Sequence, residues 1–302
     1  MADIEPMSAD ITILILTMNE EENLPKALAS VAGFARRVVV VDSGSTDRTV
    51  EIAREAGADV YVNPFVNHAM QVNWGIDNAD ISTAWTFRLD ADEEVLPDLA
   101  RFIERELDGI PSDVDGIEIR RRIHFLGRWI RHGGAYPNFV MRIFRTGRGR
   151  CEMAYMDEHM VVEGDVRQVK ADIKDENTKS LRWWTAKHNW YSDRELFEIF
   201  EKEAAATKPG YVKPRLLGTA VQRKRWLKTN VYGRVPLAWR SHLYYLYRYY
   251  LKLGFLDGPQ GRIYHFLQAY WYRFLVDAKV FEARKYPRIR EELLKEISSS
   301  ME

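Results

Sequence analysis

Four short apolar runs, each leading into a polar or helical stretch, constrain this chain of 302 residues more than any other feature. The first, ITILILT at 11–17, is apolar at odd and even positions alike, as a strand is when both faces of its sheet are covered. VVVV at 38–41, VYV at 60–62 and AWTFRL at 84–89 continue the series. Between them Leu24, Leu28 and Val31 recur at helical spacing, a helix with Asp47 as cap stops at Gly57, and 67–79 reads as another helix. Asn19 is the expected cap of the first helix, with Glu20, Glu21 and Glu22 in its opening turn. The alternation predicts an α/β chain with a parallel sheet and right-handed crossovers, whose post-strand loops gather at one edge. Asn19, Asp42, Asp90 and Asp92 lie in those loops and are expected to meet.

Beyond Gly116 the pattern changes. IEIRRRIHFLG and FVMRIFR (139–145) read as strands around a loop holding Gly133, Gly134, Tyr136 and Pro137, a stretch suited to building a site. From 180 onward the chain is helical and aromatic, with no run of 18 apolar residues, so no transmembrane helix is expected. Two amphipathic patterns stand out. In LYYLYRYYLKLGFL (243–256) Arg248 and Lys252 share a face with Arg240, and Leu243, Leu246, Tyr250 and Leu253 share another. In the second, Ile263, Phe266, Leu267, Tyr270 and Phe274 recur at helical spacing.

Forty-four Lys and Arg balance 44 Asp and Glu, but the balance is uneven along the chain. Residues 1–207 carry a net −12, residues 208–290 a net +15 and the last twelve −3. The basic segment also holds 18 of the 37 aromatic residues, a composition that points to an anionic membrane surface as partner. Neither an RNA-recognition motif nor zinc-ligand spacing is present, so nucleic acid is not expected. The single cysteine, Cys151, excludes an intrachain disulfide and suits a reducing compartment. The first ten residues lack the basic flank and apolar run of a signal peptide, so export is not expected.

Three polar clusters carry candidate chemistry. Asp90-Ala91-Asp92 ends a buried strand, and two carboxylates one residue apart on a turning backbone can hold a hard divalent cation beside phosphate oxygens. DSGSTD at 42–47 places Asp42 at another strand end, where a carboxylate can accept hydrogen bonds from ribose hydroxyls or a base N–H. Met156-Asp157-Glu158-His159 offers a carboxylate as general base near an acceptor hydroxyl.

TMNEEENL, VVVVDSGSTDRTVEIA and LDADEEV, in this order and spacing, resemble the inverting, nucleotide-sugar-dependent glycosyltransferases of family two. FLGRWIRHGG, MRIFR, DEHMVVEG and LGFLDGPQG extend the resemblance to the bacterial lipopolysaccharide-core and capsule subgroup, over roughly residues 10–285. The resemblance implies a GT-A fold: an α/β, Rossmann-like nucleotide-binding sheet with a C-terminal amphipathic helical extension. Residues 1–207 would form the catalytic domain, with a nucleotide-sugar half at about 10–115 and an acceptor half at 116–207, and 208–302 a membrane-associating region.

The resemblance also implies roles. Thr17, Asn19, Glu20, Asp42, Gln71, Asn73, Asp90, Ala91 and Arg142 would contact the donor, a nucleotide sugar and first of all a UDP-sugar. Asp92, with Asp90, would hold Mg²⁺ or Mn²⁺. The family's base is the second member of an acidic pair usually written Glu-Asp; here the order is Asp157-Glu158, which ranks Glu158 above Asp157. Of Arg142 and Arg145, one is expected on phosphate and the other in solvent. The expected product is a glycan or lipid-linked acceptor extended during envelope polysaccharide synthesis, at the cytoplasmic face of the inner membrane. The competing readings are a nucleotidyltransferase, although the loop after the first strand is TMNEEEN rather than Gly-rich and basic, and an inactive membrane-bound scaffold.

Overall fold

Residues Ala9–Thr17 (β1) have no polar face to turn to water, and the chain buries them between two other strands. The structure is a computed structural model that describes residues 9–152, 159–205, 236–237 and 239–299. Two compact units make up the chain, Met1–Lys179 and Ser180–Glu302.

In the first unit β1 pairs in parallel with β2 (Ala35–Asp42) on one side and β4 (Trp85–Asp90) on the other, and β3 (Asp59–Val62) adds in parallel outside β2. The helices α1 (Leu24–Val31), α2 (Thr49–Glu55) and α3 (His68–Asn78) connect them. Both faces are covered. Ile11, Ile13 and Ile15 are buried with Leu24, Val31, Leu99 and Ile103, while Leu14, Val39 and Val41 pack with Ala79 and Trp74 on the other side. Each such aliphatic side chain contributes about 1.5–3 kcal/mol relative to exposure.

The sheet continues past β4 with β8 (Phe139–Arg145) and β6 (Val114–Phe125), both antiparallel to their predecessors, then β11 (Asp165–Asp175) and the short β5 (Glu93–Val95). Its order is β3-β2-β1-β4-β8-β6-β11-β5, with β7 (Arg128–Trp129) paired to β6. A separate hairpin joins β9 (Gly149–Cys151) to β10 (Met160–Val162). Strand β11 was not foreseen, although Val169, Ala171 and Ile173 alternate with Lys170, Asp172 and Lys174 as a half-buried strand requires.

Asn19 does not cap the first helix. Pro25 fits only the first turn, so α1 begins at Leu24 after Asn23, and Glu20 to Glu22 form the preceding turn. Asn19 instead takes a left-handed conformation, φ +56°, which asparagine tolerates. Asp47 lies one residue before the capping position, which Arg48 occupies, although its Oδ1 still accepts from the N–H of Thr49 at the head of α2. Asn67 caps α3 through a bond from the Met70 N–H.

The second unit contains α5 (Leu181–Ala205), α6 (Trp239–Leu246), α7 (Gly258–His265), α8 (Tyr272–Lys285) and α9 (Pro287–Ser299); α4 (Pro97–Glu106) belongs to the first. Leu196 and Phe200 of α5 pack on Tyr272, Val276, Val280 and Ala283. The helical unit starts at Ser180, and α5 packs through an apolar face on α8. The shift at 208 marks the onset of basic composition. Among the described residues, no helix is long and apolar enough to cross a membrane.

Candidate active site

The register of three parallel strands sets the site. Thr17 lies opposite Asp42, and Leu16 opposite Asp90, so the two carboxylates end the strands that flank β1 at the same edge. Open α/β sheets bind ligands outside this edge.

Asp42 is buried and accepts four hydrogen bonds. Oδ1 takes the N–H groups of Gly44 (2.9 Å) and Ser45 (2.8 Å), and Oδ2 takes the hydroxyls of Thr17 (2.9 Å) and Ser45 (2.5 Å). The carboxylate thereby fixes the whole 43–46 loop. Asn19 locks the same loop from the other side, its Oδ1 accepting from Thr46 N–H and its own N–H donating to Ser45 Oγ. Glu20 accepts from Lys179 Nζ at 2.6 Å.

Asp90 belongs to a second group. Its Oδ1 accepts from Arg88 Nη2 (2.7 Å) and its Oδ2 from Arg142 Nη2 (2.8 Å), which also donates to Glu93 Oε1 (2.5 Å). Arg88 reaches His68 Nε2 at 2.9 Å as well. Burial by itself would raise the Asp90 pKa, but Arg142 and Arg88 outweigh it and hold the carboxyl far below the usual range. Glu93 moves the other way, raised chiefly by burial despite Arg142.

Asp92 stands beside these, its Oδ2 accepting from Asn177 Nδ2 (2.9 Å) and its backbone oxygen from Glu176 N–H (3.0 Å). Strand β11 thus ends against the acidic turn, with Asp175 paired to Glu93 in register. Burial first, then the charge of Asp92, pushes the Asp175 carboxyl up to about 7, with Arg121 opposing. Sequence reasoning missed Glu93, His68 and Asp175, because their approach depends on antiparallel pairing at the far end of the sheet and on packing around Arg88.

A carboxyl raised by burial and then by the charge of Asp92 lies in a site rich in negative charge. The donor set is all oxygen, and it suits a hard divalent cation. Among the described residues no three His, Cys, Asp or Glu side chains converge as ligands.

The raised Asp175 pKa has a sign. Stability contributed by its neutral form is present below about pH 4 and lost as pH rises through about 7. Without added divalent cation, Asp175→Asn is expected to melt higher than the parent at pH 8, by on the order of 1–2 kcal/mol, and to match it near pH 4. Parallel pH profiles for the two proteins would refute this.

The remaining expected donor residues are largely engaged. Thr17 and Gln71 are buried; Gln71 donates to Ser43 Oγ and the Asn63 carbonyl and accepts from Asn63 Nδ2. Asn73 clamps the Cys151 backbone with two bonds of 2.9 Å. Ala91 is buried in the main core. Arg145 is not in solvent: its guanidinium lies 4.4 Å from the Trp85 ring centroid and donates to the carbonyls of Val114, Ile110 and Pro111. Tyr136, from the glycine-bearing loop, donates to buried Asp172 at 2.9 Å. Asp157 and Glu158 fall outside the described residues, but the hairpin from which they depart is anchored. Cys151 and Met160 pack with Ala69, Val72 and Phe144, and Glu152 N–H donates to the His159 carbonyl.

A mixed sheet of this order, with carboxylates at the ligand edge of its parallel half, defines an α/β protein of the Rossmann-like GT-A class. The chain belongs to glycosyl transferase family 2, whose family model matches residues 12–162, half of its length. It is 30% identical over 167 residues to the lipopolysaccharide core biosynthesis glycosyltransferase LpsC of Rhizobium meliloti, covering 53% of this chain and 59% of that protein. It is 37% identical over 100 residues to an uncharacterized glycosyltransferase of Rickettsia bellii, a third of each chain. The chain therefore spans between a third and about three-fifths of these relatives. Among solved structures, glucosyl-3-phosphoglycerate synthase from Mycobacterium tuberculosis, in complex with Mn²⁺, uridine-diphosphate and glucosyl-3-phosphoglycerate, is 21% identical with a TM-score of 0.31, covering 38% of this chain and 44% of that one.

Proposed function

We propose that the protein transfers a sugar from a nucleotide sugar, a UDP-sugar first among them, to a hydroxyl of a glycan or lipid-linked acceptor, with inversion at the anomeric carbon. The observation that carries this reading is the shared edge: Asp42 and Asp90 end the strands flanking β1, inside the part of the chain matched by the family. Thr17, Asn19, Glu20 and Asp42 shape the nucleotide end, with Gln71 acting through Ser43 and Asn73 through Cys151. Asp90, the Ala91 backbone and Arg142 face the ribose and sugar.

Asp92, with Asp90, would hold Mg²⁺ or Mn²⁺, which when bound supplies positive charge opposite the leaving diphosphate. Glu158 takes the proton of the acceptor hydroxyl while that oxygen forms its bond to the anomeric carbon. The bond from that carbon to the diphosphate breaks on the opposite face, so one displacement inverts the configuration. The role of the Rhizobium relative in lipopolysaccharide core synthesis supports an envelope acceptor, and the basic, aromatic segment 208–290 supports a peripheral position on an anionic cytoplasmic membrane face.

A panel of sugar nucleotides with Mn²⁺, followed by analysis of the product's anomeric configuration, tests the reading. Glu158→Gln is expected to retain donor binding and lose transfer by a factor on the order of 10²–10⁴, and Asp157→Asn to lose less. A product with retained configuration would overturn the single displacement. A more damaging Asp157→Asn would reverse the order of the pair.

A further inference from the structure

The helical unit buries polar groups and exposes apolar ones where its chain turns back between α6 and α7. After α6 the backbone passes through a π-helical turn, Tyr247–Leu251, then Leu253 in a left-handed conformation, φ +60°, then a short turn at Gly254–Asp257. In water such a turn is expected to place leucine and phenylalanine inward and ionisable groups outward. Here the arrangement is inverted. Asp257 is 2% exposed and His265 0%, with Asp257 Oδ2 3.8 Å from His265 Nε2, whereas Leu251 is 76% exposed and Leu253, Phe255 and Leu256 are all close to half exposed.

Close packing keeps the turn in this state. A Cβ at Gly254 would lie 2.6 Å from the His265 ring, and one at Gly261 2.3 Å from Asp257 Cβ, so bare backbone seals the interior around the polar pair. No room is left there for the leucines. The four large apolar side chains occupy five of the positions from 251 to 256 together with one cation, Lys252. Contiguous apolar exposure of this kind marks an interaction surface.

Charge identifies what the surface meets. Between residues 236 and 281 the only carboxylates are Asp257 and Asp277; both are buried, and Asp277 is paired with Arg240. Lys252 and Arg262 are exposed and Arg248 is half-buried. The exposed part of this stretch is therefore apolar and cationic, with no accessible carboxylate. A second copy docked on the same surface would bring like charges together. An anionic bilayer complements both properties, since lipid phosphates receive the cations and the acyl boundary receives the leucines.

We propose that the turn at 250–257 is a monotopic membrane-dipping element, with Leu251, Leu253, Phe255 and Leu256 entering the interface of an anionic bilayer and Lys252, Arg248 and Arg262 meeting its phosphates. The proposal deepens the membrane part of the functional reading and rests on that reading only for its purpose, because vesicle binding requires neither donor nor acceptor. It also explains how a chain whose described helices cannot span a membrane would stay at one.

Flotation of the full chain with phosphatidylcholine vesicles, with and without phosphatidylglycerol, tests it. The expected result is binding to the anionic vesicles that weakens as salt rises. Replacing Leu251 and Leu256 together by asparagine is expected to lower binding to anionic vesicles by about tenfold or more. Replacing Lys252 and Arg262 by glutamine is expected to remove the preference for anionic lipid. All of these positions are exposed, so melting temperature and transfer to a soluble acceptor are expected to stay at the parent values. Equal vesicle binding by the leucine variant overturns the proposal. So does a parent chain that ignores anionic vesicles at low salt, or one that instead self-associates through the leucines. Loss of vesicle binding with transfer intact would leave the catalytic reading standing, and loss of transfer with vesicle binding intact would leave the membrane element standing.

Discussion

On the proposed reading, Asp92→Ala is expected to lower glycosyl transfer by on the order of 10³ while leaving the protein folded, because it removes a carboxylate that would hold the divalent cation opposite the leaving diphosphate. The structural cost is small. Among the described residues Asp92 makes one side-chain hydrogen bond, from Asn177, and its backbone bond from Glu176 survives the substitution, so stability changes by about 1 kcal/mol at most. Losing the Asp92 charge also relieves Asp175, whose carboxyl that charge helps push up to about 7. Transfer rates across a Mn²⁺ titration, with thermal melts in parallel, separate the two effects. Excess EDTA is expected to abolish transfer by the parent. Full parental activity in EDTA, or a near-normal rate for Asp92→Ala, would remove this residue from the metal role.

Arg142→Ala is expected to act on the fold as strongly as Asp92→Ala acts on the chemistry. Its guanidinium is buried and donates to Asp90 at 2.8 Å and to Glu93 at 2.5 Å, the latter 1% exposed. Removing the cation leaves Glu93 as a buried carboxylate without its ion-pair partner, a change that costs about 3–5 kcal/mol. For a unit of this size that lowers the melting temperature by about 10 °C. Two further variants make the cause explicit. Arg142→Lys keeps the charge on a less extended side chain and is expected to fall between parent and alanine. Adding Glu93→Gln to Arg142→Ala removes the stranded charge and is expected to recover part of the loss. A melting temperature within about 2 °C of the parent for Arg142→Ala would show that the pair contributes little. Transfer is expected to fall in the alanine variant too, since Asp90 then keeps only Arg88 of its two guanidinium partners.

What the sequence alone determined was whatever short-range patterning controls. The apolar runs specified parallel strands, and Asp47 and Gly57 bracketed the second helix by local hydrogen bonding and backbone preference. The same alternation put Asp42, Asp90 and Asp92 at one edge, because parallel strands with helical crossovers leave no other place for their loops. Tertiary structure decided what depends on pairing between distant segments. Nothing local to Asp175 reveals that β11 will end against the turn at 90–93, and nothing local to Arg142 and Arg145 tells a buried double ion pair from a guanidinium stacked on Trp85. Asn19 shows the competition directly, since its capping chemistry was plain but Pro25 moved the helix start beyond it. The amphipathic spacing of 243–256 reads as one continuous helical stripe, but the helix ends at Leu251 and Leu253 turns left-handed. Only the packing of Gly254 and Gly261 against His265 and Asp257 decided that the apolar ones would point out, because a helix pattern specifies a stripe and leaves its direction to whatever the neighbouring elements have room to bury.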